Sequence, residues 1–182
     1  MQSSLRCARC RRARVAAVGV LWLSGCALGH RSFVPDQDAD QFDDVAFLHY
    51  LPTVPVVTVA EGSRAVLLVV GSTDNWPSHE ARWQELGRRG AVKSAWGLDP
   101  EHILDKGTLA HMLCVLCDVP RSFSQALASS TGLGDRRYAL RTCVYEGLLP
   151  YARAQDPVSG GELLSALQTA EACEKSLTAN RG

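Results

Sequence analysis

One local pattern occurs three times in this chain and narrows what it can fold into. The segments are VTVAEGSRAVLLV from Val57, LDKGTLAHMLCVL from Leu104 and VSGGELLSALQTA from Val158. Each opens on an apolar residue, followed by an N-cap type: Thr58, Asp105 or Ser159. Two positions on stands a small residue (Ala60, Gly107, Gly161), and then Glu61, Thr108 or Glu162. Thr58 with Glu61 and Ser159 with Glu162 have capping-box spacing, in which two side chains satisfy the free N–H groups of a helix start. Three helix starts are therefore predicted. Taken alone, AVLLVV (residues 65–70) reads as a buried strand, but the shared cap assigns it to a helix.

A second helix precedes each of the later two copies. SHEARWQELGRRG runs from a Ser78 cap to a Gly90 stop, and DRRYALRTCVYEG from an Asp135 cap to a Gly147 stop. Glycine just past a last turn adopts the left-handed C′ conformation without steric cost. Before the first copy, FDDVAFLHYLPTVPV holds two prolines and leaves little room for a full partner helix. Residues 122–132 add one short helix between units. Units of about 50 residues cannot bury their apolar faces alone. The expected fold is all-α: a compact helical bundle of helix-Gly-loop-helix pseudo-repeats.

The N-terminus carries an address. Arg6, Arg9, Arg11, Arg12 and Arg14 precede an apolar run over residues 15–23, then Ser24 and Gly25. This is the layout of a secretory signal, too short to span a bilayer, which takes about 20 apolar residues. Leu23, Ser24, Gly25 and Cys26 resemble a bacterial lipobox, which implies acylation of Cys26 and cleavage before it. Ala27 follows rather than Asp, which favours the outer membrane, facing the periplasm or the cell surface. The expected organisation is signal peptide 1–25, lipidated cysteine and acidic flexible tether 26–45, pseudo-repeat domain 46–178 and tail 179–182. Asp36, Asp38 and Asp40 have the opening spacing of an EF-hand, but Gln41 and Phe47 stand where its Gly and Glu belong.

Once the signal is removed, 14 basic residues face 19 acidic ones, a net charge of −5. Nucleic-acid binding would want a basic stripe and is not expected. Of seven cysteines, Cys114, Cys117, Cys143 and Cys173 remain in the mature domain, an even number in a compartment that permits disulfides. Three pairings are open. Cys143–Cys173 is favoured because these two fall on the two helices of one unit.

Enzymatic and metal signals are weak. His111, Cys114 and Cys117 recur at three-residue steps, yet the outer two lie about 9 Å apart along a helix, too far for one zinc to collect all three. Cys114 and Cys117 lie well past the Asp105 cap, away from the helix N-terminus that activates a redox C-x-x-C. Asp99, Glu101 and His102 share a loop that reads either as an exposed polar site or as a helix entry. No nucleophile, base and oxyanion donor come together. Neither a metal nor a cofactor is expected. Trp76, Trp83 and Trp96 fall around one repeat junction, where they fill core or offer a stacking platform for sugar rings.

The repeats resemble the S-layer homology family, whose units open with Phe-x-Asp-Val and begin their second helix with Ile-Thr-Arg-Ala-Glu. FDDV (residues 42–45), VTVAE (57–61) and VSGGE (158–162) match, and LDKGT (104–108) matches less well. The resemblance implies a pseudo-threefold helical domain whose grooves bind anionic cell-wall polymer through the motif arginine. This chain departs at that arginine, where it has Val59, Lys106 and Gly160. Lys106, with Trp96 and Trp83, is the expected binding set. The sequence thus reads as a lipid-anchored, non-enzymatic envelope protein, held to the membrane by its N-terminal lipid and binding or scaffolding at the wall or surface. Two alternatives stay open: a periplasmic accessory or assembly factor binding another envelope protein, and a redox protein or enzyme using Cys114 and Cys117.

Overall fold

The computed structural model describes residues 31–35, 37–71, 76–119 and 134–180, the side chains of 70–71 and 173–180 excepted. The signal, Cys26 and the short helix expected over 122–132 lie outside the described residues. Six α-helices form the described part: α1 (Asp44–Tyr50), α2 (Val59–Val66), α3 (His79–Arg88), α4 (Lys106–Leu116), α5 (Asp135–Tyr145) and α6 (Gly160–Asn180). Among the described residues there is no β-strand, only three isolated bridges. No helix among them is long and apolar enough to cross a membrane. The fold is all-α.

The predicted helix starts are α2, α4 and α6, and each has its cap. Thr58 and Glu61 close a full capping box, with the Thr58 N–H donating to Glu61 Oε2 at 2.8 Å. The Thr108 N–H donates to Asp105 Oδ1 (2.6 Å), and the Ser159 N–H to Glu162 Oε2 (3.1 Å). The stretch that could have been a strand is helical: α2 runs into a π-helical turn, Leu67–Gly71. Gly90 and Gly147 both have φ +74°, as their role at a helix end demands. One cap differs from expectation. Gly134, at φ +84°, is the N-cap of α5, and Asp135 is its first helical residue.

The three residues that precede the caps meet in a closed ring. The Val57 amide donates to the Val158 carbonyl (2.9 Å), Val158 to Leu104 (3.0 Å), and Leu104 back to Val57 (2.8 Å). All three side chains are buried. Outside this ring, each helix start takes carbonyls from the loop of another unit. Val59 and Ala60 of α2 donate to His102 and Pro100, and Lys106 and Gly107 of α4 donate to Asp156 and Ala154. Gly160 of α6 donates to Val54. First-turn N–H groups have no partner inside their own helix, so each unit supplies what another lacks. The loop holding Asp99, Glu101 and His102 is therefore a helix-entry support: its carbonyls cap α2, and His102 Nδ1 accepts from the Asp99 N–H at 2.9 Å.

The third seam is built differently. A 3-10 turn, Leu51–Thr53, takes the place of the longer loops, and its Leu51 carbonyl presses on Gly160. A Cβ at Gly160 would overlap that oxygen, whereas one at Gly161 would meet nothing within 4 Å. Around the ring, Phe47, Leu51, Leu86, Leu109, Met112, Leu113, Leu163 and Leu167 form a common core.

The acidic stretch expected to be a free tether is docked. Residues 31–33 pair with the 101–103 loop, with the Phe33 N–H donating to Glu101 (2.9 Å) and the Ile103 N–H to Arg31 (2.8 Å). Arg64, buried on α2, donates to the Ala39 carbonyl (2.5 Å) and the Phe42 carbonyl (2.8 Å), pairs with Asp44 (2.9 Å) and lies over the Phe47 ring. Arg82 pairs with Asp40 at 2.5 Å. Among the described residues, contacts with the helical domain are made from Arg31 onward, ahead of the expected domain start at residue 46. The reason is charge complementarity: aspartates that look like a solvated run are ligands for two buried arginines.

Gly160→Ala should cost about 3 kcal/mol, lowering the thermal midpoint by roughly 10 °C. Gly161→Ala, one residue on, should be neutral or stabilising by about 0.5 kcal/mol. Thermal denaturation followed by circular dichroism reads both.

Candidate basic groove

The three first helical positions after the caps, among them the expected Lys106, offer no free cation. Val59 is fully buried, Gly160 has no room for a side chain, and Lys106 Nζ donates to Glu162 Oε1 at 2.7 Å. Burial works to raise the Glu162 pKa. The Lys106 ion pair and the Ser159 N–H and hydroxyl outweigh it, so the carboxyl sits below its ordinary value and stays ionised. Lys106 thus braces the second unit against the third.

The expected tryptophans are half-buried against the core, each with its own partner. Trp96 meets His111 edge-on, with centroids 5.0 Å apart, and carries the Arg136 guanidinium 5.4 Å above its ring. Trp83 stacks on His79 at 5.8 Å, and Arg89 lies over Trp76. Core filling accounts for most of their surface. Trp96 also lines an opening, a groove of about 340 Å³ shared with Asp105, Asp135, Arg136, Arg137 and Gln155.

That groove adjoins a larger one that sequence reasoning missed. About 590 Å³ in volume, it is lined by Arg137, Arg141, Arg153 and Tyr151, with Leu140 and Val144 at its base. The two share Arg137, Ala154 and Gln155. Arg137 and Arg141, four residues apart on α5, project on one helical face, and the loop leading into α6 brings Arg153 and Tyr151 opposite. All three arginines are exposed and none forms an ion pair among the described residues. No acidic residue lines the larger groove. Tyr151 is 92% exposed, leaving its ring free to stack. A signal was present in the sequence: residues 136–153 hold four arginines and one acidic residue, in a mature chain that is net acidic.

Three of the cysteines lie in the buried core. They are Cys114, Cys117 and Cys143, and Cys117 caps the C-terminal end of α4, where the helix dipole disfavours a thiolate. The hydrogen bond to Cys114, and then burial, push the Cys143 thiol far above its ordinary range. Cys143 Sγ lies 3.2 Å from Cys114 Sγ, while the side chain of Cys173, the favoured partner, is outside the described residues. Among the described residues no three His, Cys, Asp or Glu side chains gather to hold a metal.

These features define an all-α domain of three interlocked units with a basic groove on the third. Set against known proteins, the chain matches no family model, and no curated protein or solved structure shows significant similarity to it.

His79, beneath Trp83, has its pKa lowered chiefly by burial and next by Arg82, against opposing pulls from Glu80 and Asp40. The unfolded chain therefore binds this proton more readily. The neutral-His79 contribution to stability should be complete above about pH 6.5 and decline as pH falls below it. Urea midpoints between pH 7.5 and 5 should show that decline, and His79→Phe should flatten it.

Proposed function

We propose that this chain is a lipid-anchored envelope protein whose helical domain binds an anionic envelope polymer through the arginine groove, without enzymatic activity. The observation that carries this reading is the groove itself: Arg137, Arg141 and Arg153 line it with an exposed Tyr151, and no acidic residue is part of its lining. Guanidinium groups grip phosphate and carboxylate in bidentate fashion, and an aromatic face accommodates a sugar ring. The signal layout and the lipobox-like Leu23-Ser24-Gly25-Cys26 support anchoring through an acylated Cys26, on the outer membrane or at the cell surface. The closed ring at Val57, Leu104 and Val158 holds the third unit, which carries the groove, against the other two. With Lys106 engaged by Glu162, the anion contact of this chain moves from the motif position to α5 and the loop before α6.

Soluble mature chain (residues 27–182) should co-sediment with isolated cell-wall sacculi and release as sodium chloride rises, because exposed charge contacts are screened. Each of Arg137→Ala, Arg141→Ala and Arg153→Ala should weaken binding by roughly tenfold, and Lys106→Ala should change it far less. A chain that stays in the supernatant at low salt sinks polymer binding and leaves a protein partner of the envelope as the reading. Anchoring has its own check: Cys26→Ser should abolish incorporation of a labelled fatty acid and free the protein from the membrane fraction.

A further inference from the structure

The contact between Cys114 and Cys143 has no part in the groove, yet it joins two of the units. Cys114 sits on α4 of the second unit and Cys143 on α5 of the third, both buried, with sulfurs 3.2 Å apart. Each thiol also points at the main chain of the opposite helix: Cys114 toward the Ala139 carbonyl (3.6 Å) and Cys143 toward that of Ala110 (3.4 Å). Both side chains are thus aimed across one helix–helix seam. A disulfide needs its sulfurs at about 2.0 Å, and small rotations about the two Cα–Cβ bonds supply the remaining approach.

We propose that under oxidising conditions Cys114 and Cys143 are joined by a disulfide that staples the second unit to the third. That the cell supplies such conditions rests on the export reading; the pairing itself does not. The bond closes a loop over residues 114–143. In forming it, two S–H bonds break and one S–S bond forms, releasing two protons and two electrons. The electrons reduce a small-molecule or protein disulfide to its dithiol, glutathione disulfide being sufficient in vitro.

The surroundings set when the bond can form. Exchange requires a thiolate with access to its oxidant, and in the folded core the Cys143 thiol is held protonated by Cys114 and by burial. Oxidation therefore belongs to the open chain during folding, and the closed core then shields the bond from reductants. This is a structural staple and not a switch. Cys117, one turn further along α4, is the competitor on the same helix, but the sulfur contact is made by Cys114. A Cys143–Cys173 bridge would require Cys143 to leave that contact.

The test uses the full chain in two preparations: one extracted from cells with thiols blocked at lysis, and one purified reduced and refolded in a glutathione redox buffer. Non-reducing peptide mapping should find Cys114 linked to Cys143 in both, and still linked in Cys117→Ser. Oxidised protein should melt about 10 °C above the same chain after reduction. That gap should collapse in Cys114→Ser, where each sample is compared with itself and the cost of the substitution cancels. A bridge in the refolded chain alone supports the pairing and counts against export. Free thiols at both positions in refolded, fully helical protein overturn the proposal, as does Cys143 linked to Cys117 or Cys173.

Discussion

Three amide-to-carbonyl hydrogen bonds, passed in one direction around Val57, Val158 and Leu104, hold the centre of this protein. Each residue gives its N–H to one unit and its carbonyl to the other, so no pair is complete without the third. Buried main-chain groups must be satisfied, and here the satisfaction is cyclic. The caps extend the same logic outward, since α2, α4 and α6 each begin on carbonyls that belong to a different unit. The apolar core forms around this arrangement and cannot be divided into three independent parts.

The ring also determines where variation is tolerated. The second residue after each ring position starts a helix in the crowded centre, and its three occupants respond differently. Val59 goes into the core, Lys106 is neutralised by Glu162, and Gly160 yields to the Leu51 carbonyl. This position is thus taken up by the packing of the units against one another. Charge is free to collect further out, on α5 and the loop that follows it. There three arginines face solvent in a groove whose own lining holds no carboxylate.

Local chemistry was legible in the sequence and long-range pairing was not. The caps at Thr58, Asp105 and Ser159, and the glycine stops at Gly90 and Gly147, act through neighbours within a few residues, and their spacing announces them. The ring could be suspected only from the matching apolar residues before each cap; nothing local says that Val57 binds both Val158 and Leu104. Asp40 and Asp44 read as solvated because their partners, Arg82 and Arg64, are distant in sequence. The groove escaped for a related reason: Arg153 joins Arg137 and Arg141 only because the last loop folds back across α5. Lys106 was visible as a charge, but its neutralisation by a glutamate in another unit was not.

Residues 31–33 lie antiparallel to the loop 101–103, which in turn is bridged to Thr58 at the start of α2. On the proposed reading, in which Cys26 is lipidated and the groove holds a polymer, any tension between the two would enter the domain along this short ladder. Hydrogen bonds lying across the direction of pull are loaded together, in shear, instead of being peeled open one after another. Arg64, gripping the carbonyls of Ala39 and Phe42, would carry the remainder of the load into the core. The N-terminal segment would then serve as a mooring line made fast at two cleats, with the force delivered where three units are already bound to one another.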